Sequence, residues 1–315
     1  MTPLEAGKAC PNCGLTAGAY VPSPRHLPPG SLLQGRYLVG RVLGEGGFGI
    51  TYVGRDLTLE RKVAIKEYFP VDKALRDASV STELSGMTGT GTEILERGRR
   101  KFLNEARIMA RMDKQQAIVG VRDFFELNNT AYIVMEYVEG ITLKKLAEQE
   151  GGHITPTQLF PMIEPLFEAL AQLHANGLIH RDISPENLML ENGHIRLLDF
   201  GCARESDDGS ATLTVALKHG YAPLEQYQQK GQGPWTDIYA LSATIYHCLT
   251  GRTPPQALER IVEDPLLLPS KLGVPITERQ EQALLKGLRI QPRRRFRSME
   301  EMWAALYAPP PDEVK

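Results

Sequence analysis

Short runs of alternating apolar and polar residues mark the chain after Arg36, and long stripes of helical period mark it after Gly140. Tyr37-Leu38-Val39, Ile50-Thr51-Tyr52-Val53 and Lys62-Val63-Ala64-Ile65-Lys66 are β-branched or alternating and predict strands. The glycines between the first two favour a hairpin. Residues 79–92, rich in Ser, Thr and Gly, predict a mobile loop. Ile94, Phe102, Ala106, Met109 and Met112 recur at helical spacing and predict a helix over 94–112. Strands follow around 119–127 and 130–136, with Asn128-Asn129 as the turn. Leu159, Ile163, Leu166, Phe167, Leu170 and Leu173 form an amphipathic stripe over 156–176. Residues 238–249 read as a buried core helix, and 277–307 as two helices broken at Pro292. The order is a β-rich small lobe followed by an α-rich large lobe, an α+β class.

Residues 1–35 differ from the rest. Pro3, Pro11, Pro22, Pro24, Pro28 and Pro29, with several glycines, disfavour any long regular element. Cys10-Pro11-Asn12-Cys13-Gly14 resembles one knuckle of a zinc ribbon. A closed site needs further ligands, and His26 is a candidate third. The alternative is a disordered tail with two free thiols. The division expected is 1–35, then 36–137, 138–308 and a Pro-rich tail over 309–315.

Hydrophobic content of 42% and charged content of 23% suit a globular chain. A formal net charge of −2 argues against a nucleic-acid binder. No apolar run approaches the ~18–20 residues of a membrane span. The front of the chain lacks a secretory pattern, and the four cysteines do not form a disulfide framework, so the cytoplasm is expected.

The chemistry lies in four pieces in fixed order. They are Gly44-Glu45-Gly46-Gly47-Phe48-Gly49, then Lys66 after Val63-Ala64-Ile65, then Ile179-His180-Arg181-Asp182-Ile183-Ser184-Pro185-Glu186-Asn187, then Asp199-Phe200-Gly201. The glycines alone would also suit a nicotinamide-binding fold, but that needs a helix after Gly49, where a strand is expected. Together the pieces resemble eukaryotic-like Ser/Thr protein kinases of the bacterial type, over roughly residues 36–307.

The resemblance implies a bilobal kinase fold with ATP between the lobes and transfer of the γ-phosphoryl to Ser/Thr hydroxyls of proteins, with autophosphorylation. It places the glycine loop over the triphosphate. Leu43, Thr51, Ala64, Met135, Glu136, Val138 and Met189 are carried over as nucleotide-binding positions, Met135 guarding the back pocket and Met189 lying beneath the ring. Lys66 would bind the α- and β-phosphates and pair with Glu105. Asp182 would be the base, and Asn187 and Asp199 the magnesium ligands. Asp237 would brace the catalytic loop, and Glu225 would pair with Arg295. Arg181 could meet a phosphorylated Ser206, Ser210, Thr212 or Thr214. The step from Lys66 to Glu105 is long for the family, and the excess over 67–92 reads as a tolerated surface insertion.

One position departs from the family. Ser184 stands where most Ser/Thr kinases carry a lysine toward the γ-phosphoryl. Either the chain is a nucleotide-binding pseudokinase acting as a scaffold, or the charge comes from elsewhere. Lys218 occupies the position of the usual threonine in the activation segment, so the two side chains would be exchanged; an exposed loop lysine is the alternative there.

Overall fold

The computed structural model describes residues 21, 23–87, 89–112, 115–198 and 217–308. These pack as two units, one of residues 21–112 and 120–137, the other of 115–119, 138–198 and 217–308.

The N-terminal unit is built from β1 (Leu32–Leu33), β2 (Tyr37–Gly46), β3 (Gly49–Asp56), β4 (Arg61–Tyr68), β5 (Ala74–Leu75), β6 (Ser85–Gly86), α1 (Gly89–Ala110), β7 (Val121–Leu127) and β8 (Thr130–Glu136). Six of the strands form one antiparallel sheet in the order β1-β2-β3-β4-β8-β7. Asn128 and Asn129 both take left-handed backbone, with φ of 54° and 55°, as the tightest hairpin turns require. Register assigns the faces, because directly opposed residues of antiparallel strands point the same way. Lys66 lies opposite Thr51 and Ile133, and Ala64 opposite Met135. Gly49, Thr51, Ala64, Lys66, Tyr68 and Met135 therefore share one face. Helix α1 covers that face, with the Tyr68 ring 5.7 Å from Phe102.

The other face corrects the reading of 67–92 as a surface insertion with a mobile loop. Glu67, next to the last residue of β4, is fully buried, and so is Arg76 from the inserted segment. Arg76 donates to both carboxylate oxygens of Glu67, at 2.6 and 2.9 Å. Tyr52 and Tyr132 hydroxyls donate to the same carboxylate at 2.9 and 2.8 Å. Arg76 also binds the Arg25 carbonyl, and Leu27 N–H reaches the Tyr52 hydroxyl at 3.1 Å. Leu84 N–H is tied to the Asn128 carbonyl at 2.9 Å. A carboxylate removed from water needs a paired cation and donors. The inserted segment supplies the cation, β3 and β8 supply the tyrosine donors, and residues 25–27 complete the network over this face of the sheet. Helix α1 also begins earlier than its apolar stripe, at Gly89.

The C-terminal unit contains β9 (Ile141–Thr142), α2 (Leu143–Gln149), α3 (Pro156–Ala175), β10 (Leu188–Glu191), β11 (His194–Leu197), α4 (Leu224–Tyr227), α5 (Pro234–Thr250), α6 (Glu259–Val262), α7 (Glu278–Gly287) and α8 (Met299–Tyr307). All six predicted stripe residues of α3 are buried. The stripe prevails over Pro161 and Pro165, which fall on the exposed side of the same helix. Helix α5 is buried on nearly every side, as a core helix must be. A 3-10 turn at Pro292–Arg294 separates α7 from α8. The unit is closed by a buried ion pair in which Arg295 donates to Glu225 at 2.6 and 3.2 Å. Its remaining N–H groups meet the carbonyls of Arg289, Ile290 and Trp235. Among the described residues, no helix is long and apolar enough to cross a membrane.

Candidate active site

In the C-terminal unit the site is organised from Asp237, in the first turn of α5, where a helix N-terminus favours negative charge. Asp237 is fully buried and accepts the backbone N–H of His180 and of Arg181, each at 2.8 Å. His174 Nε2 lies 2.8 Å from the same carboxylate. Burial pushes the Asp237 carboxyl up, but the His174 contact, the nearby His180 and the Arg181 amide outweigh it and hold its pKa below the ordinary value. Asp237 thereby holds Arg181 in left-handed backbone at φ 68°, a costly state for a residue other than glycine. Gln226 Nε2 fixes the Arg181 carbonyl from the other side at 2.9 Å.

That backbone delivers Asp182. Its N–H donates to His180 Nδ1 at 3.3 Å, while His180 Nε2 donates to the Leu198 carbonyl at 3.1 Å. Asn187 Nδ2 donates to the Asp182 carbonyl at 2.7 Å and to its carboxylate at 2.9 Å. With the amide protons so engaged, the Asn187 side-chain oxygen is the group that could hold a cation such as magnesium. Its predicted companion Asp199 lies outside the described residues, as do Ser206, Ser210, Thr212 and Thr214.

Lys218 is brought into this cluster. Its Nζ lies 2.9 Å from Ser184 Oγ, 3.4 Å from Asp182 Oδ1 and 3.8 Å from Glu186 Oε2. Ser184 is buried, and the Lys218 side chain is 31% exposed, so it is not a free loop lysine. Lys144 binds Glu186 at 2.7 Å and holds that carboxyl below its usual range.

In the N-terminal unit, Lys66 is buried on β4, and Glu105 lies one helical turn beyond Phe102 on the helix covering the same face. Gly49 has a steric reason: an added Cβ would stand 2.6 Å from the Glu67 carbonyl and 3.5 Å from Lys66 Cε. Gly44, Gly46 and Gly47 have no such reason, since an added Cβ would meet nothing within 4 Å and none has positive φ. Glu45 and Leu43 beside them are exposed, and Phe48 is half-buried. Three glycines that nothing inside the unit demands fit a loop approached closely by a ligand such as a triphosphate. Thr51, Ala64 and Glu136 are half-buried, Met135 is buried, and in the other unit Val138 is buried and Met189 half-buried on β10.

The zinc expectation loses its third ligand. His26 Nδ1 accepts the Ser23 N–H at 3.2 Å and its Nε2 faces Glu45 at 2.9 Å. Cys10 and Cys13 lie outside the described residues, and among those described no cluster of His, Cys, Asp or Glu could hold a metal ion. Sequence reasoning missed His174, Gln226 and Lys144, because no spacing rule links the ends of separate helices.

A model of the protein kinase domain matches residues 37–267. The chain belongs to the protein kinase family. It is 32% identical over 300 residues to the serine/threonine-protein kinase PknB of Mycolicibacterium smegmatis, covering 90% of this chain and 43% of that protein. Against the serine/threonine-protein kinase PrkC of Bacillus subtilis it is 33% identical over 229 residues, 71% of this chain and 32% of PrkC. The chain thus spans less than half the length of these relatives. Among solved structures it is similar to the apo form of PpkA-294, with a TM-score of 0.74 and 33% identity over 90% of this chain and 100% of that one. The fold is that of a protein kinase: a sheet-based N-terminal unit, a helical C-terminal unit, and the bacterial eukaryotic-like branch as kin.

Proposed function

We propose that this kinase-family chain transfers the γ-phosphoryl group of ATP to serine or threonine hydroxyls of proteins, its own included. The observation that carries the reading is Asp182, aimed by a strained backbone that Asp237 pins and gripped by Asn187. An acceptor hydroxyl oxygen bonds to the γ-phosphorus as the bond from that phosphorus to its bridging oxygen breaks. ADP leaves with the electron pair, and the hydroxyl proton passes to Asp182. Lys66, oriented by Glu105, binds the non-transferred phosphates under the glycine loop. Leu43, Thr51, Ala64, Met135, Glu136, Val138 and Met189 hold the adenine. Asn187 and Asp199 would hold magnesium, which neutralises phosphate charge when bound. A donor such as ATP puts the activity in the cytoplasm.

The rival is a pseudokinase scaffold, favoured only by Ser184. Incubation with Mg-ATP and dephosphorylated casein, followed by intact-mass analysis, separates them. Added phosphate masses are expected for the wild type and none for Asp182→Asn or Lys66→Met with folding retained. An Asp182→Asn chain that works at the wild-type rate would sink the assignment of the base. A wild type that binds ADP yet transfers nothing would establish the scaffold.

A further inference from the structure

Charge near a transferring phosphoryl group matters by position rather than by the segment that carries it. Lys218 is the cation nearest Asp182 among the described ion pairs, and its ammonium touches the hydroxyl of Ser184 on the catalytic loop. The residue is held rather than loose. Its carbonyl accepts the N–H groups of Tyr221 and Ala222 at 3.1 and 3.0 Å. Gly220 has φ 84°, and an added Cβ there would stand 2.6 Å from the Pro254 carbonyl, so the turn is pressed against Thr253-Pro254. The Tyr221 hydroxyl meets His247 Nδ1 at 2.9 Å, and Thr253 Oγ1 lies 3.1 Å from the same nitrogen. A lysine on a turn so anchored, with Ser184 as a neutral rest for its ammonium, is placed beside the base without being consumed by it.

Resting on the kinase reading above, we propose that Lys218 is a catalytic residue whose ammonium contacts the transferring phosphoryl, doing so from the 218–222 turn of the activation segment rather than from the catalytic loop. As the acceptor oxygen bonds to phosphorus and ADP departs, the equatorial phosphoryl oxygens lean on this cation, and the proton still goes to Asp182. Chemistry then depends on the 218–222 turn staying seated, because the turn carries the cation.

The test measures steady-state transfer from Mg-ATP to dephosphorylated casein for wild type, Lys218→Ala and the exchange Ser184→Lys with Lys218→Thr. ADP-induced thermal stabilisation serves as the check of fold. Lys218→Ala should lose ~10²–10³-fold in kcat with little change in KM for ATP, the usual cost of losing one contact to developing charge. The exchange should regain at least roughly tenfold of that loss, since two positions share one function. Gly220→Ala, which displaces the turn, should slow the wild type far more than it slows the exchanged chain. A Lys218→Ala enzyme within about threefold of wild-type kcat overturns the proposal. So does an exchanged chain that binds ADP normally and recovers nothing. Equal slowing of both backgrounds by Gly220→Ala overturns the dependence on seating. An inactive wild type removes this inference together with the kinase reading, whereas an active wild type with an active Lys218→Ala removes this inference alone.

Discussion

Arg76→Met tests whether the segment after Glu67 is part of the fold. The substitution keeps most of the side-chain volume and removes the guanidinium. Glu67 would then keep a carboxylate with no exposed surface and only the Tyr52 and Tyr132 hydroxyls as donors. In the wild type, burial works against the charge on Arg76, but the Glu67 hydrogen bonds and charge outweigh it and raise its pKa above the ordinary value. Removing one partner of a buried pair costs about 3–5 kcal/mol. The two remaining tyrosine donors favour the lower end, about 3 kcal/mol. For a unit of this size, with an unfolding entropy of about 2.1 cal/mol/K per residue, that lowers the unfolding midpoint by ~12–15 °C. Thermal unfolding followed by circular dichroism reads the shift, with exposed Arg61→Met as a control expected within about 0.5 kcal/mol of wild type. Glu67→Gln combined with Arg76→Met should recover most of the loss, because no buried charge is then left alone. An Arg76→Met chain within about 1 kcal/mol of wild type would refute the reasoning and return the segment to a surface insertion.

Two further outcomes follow from the same geometry. Gly49→Ala forces a Cβ against the Glu67 carbonyl and should cost about 1–3 kcal/mol while weakening ADP binding; Gly47→Ala, which meets nothing inside the protein, should weaken binding with stability unchanged. The Asp237 carboxyl has its folded pKa below the unfolded value of about 4, so its contribution is complete above that pH and is lost as pH falls through the folded value. The midpoint of Asp237→Asn should therefore be lower near neutrality but fall less steeply below about pH 4, and parallel acid limbs would contradict this.

Local order was legible wherever it depends on local period. The five longer strands of the N-terminal sheet, the Asn128-Asn129 turn and the six buried positions of α3 all appear in the sequence pattern, because residue spacing along one element decides which side chains share a face, whereas β1 does not. The bond between Asn187 and Asp182 was similarly within reach, since one short loop carries both. Glu225 with Arg295, and Asp237 with the catalytic-loop amides, followed from resemblance rather than from spacing.

Other pairings had no local signal. Arg76 lies near a Ser/Thr-rich stretch that reads as solvent-exposed, and only the demand of a buried Glu67 carboxylate draws it onto the sheet. His26 resembled a metal ligand until both ring nitrogens were found engaged by Ser23 and Glu45. By itself the sequence determined the order of strands and helices, because periodicity acts over one element at a time, and its short motifs carried the resemblance that implied the kinase architecture and the roster of chemical groups. Only the tertiary structure decided which groups meet, including Lys218 with Ser184 and Arg76 with Glu67, because burial energies and hydrogen-bond satisfaction are settled between segments distant in the chain.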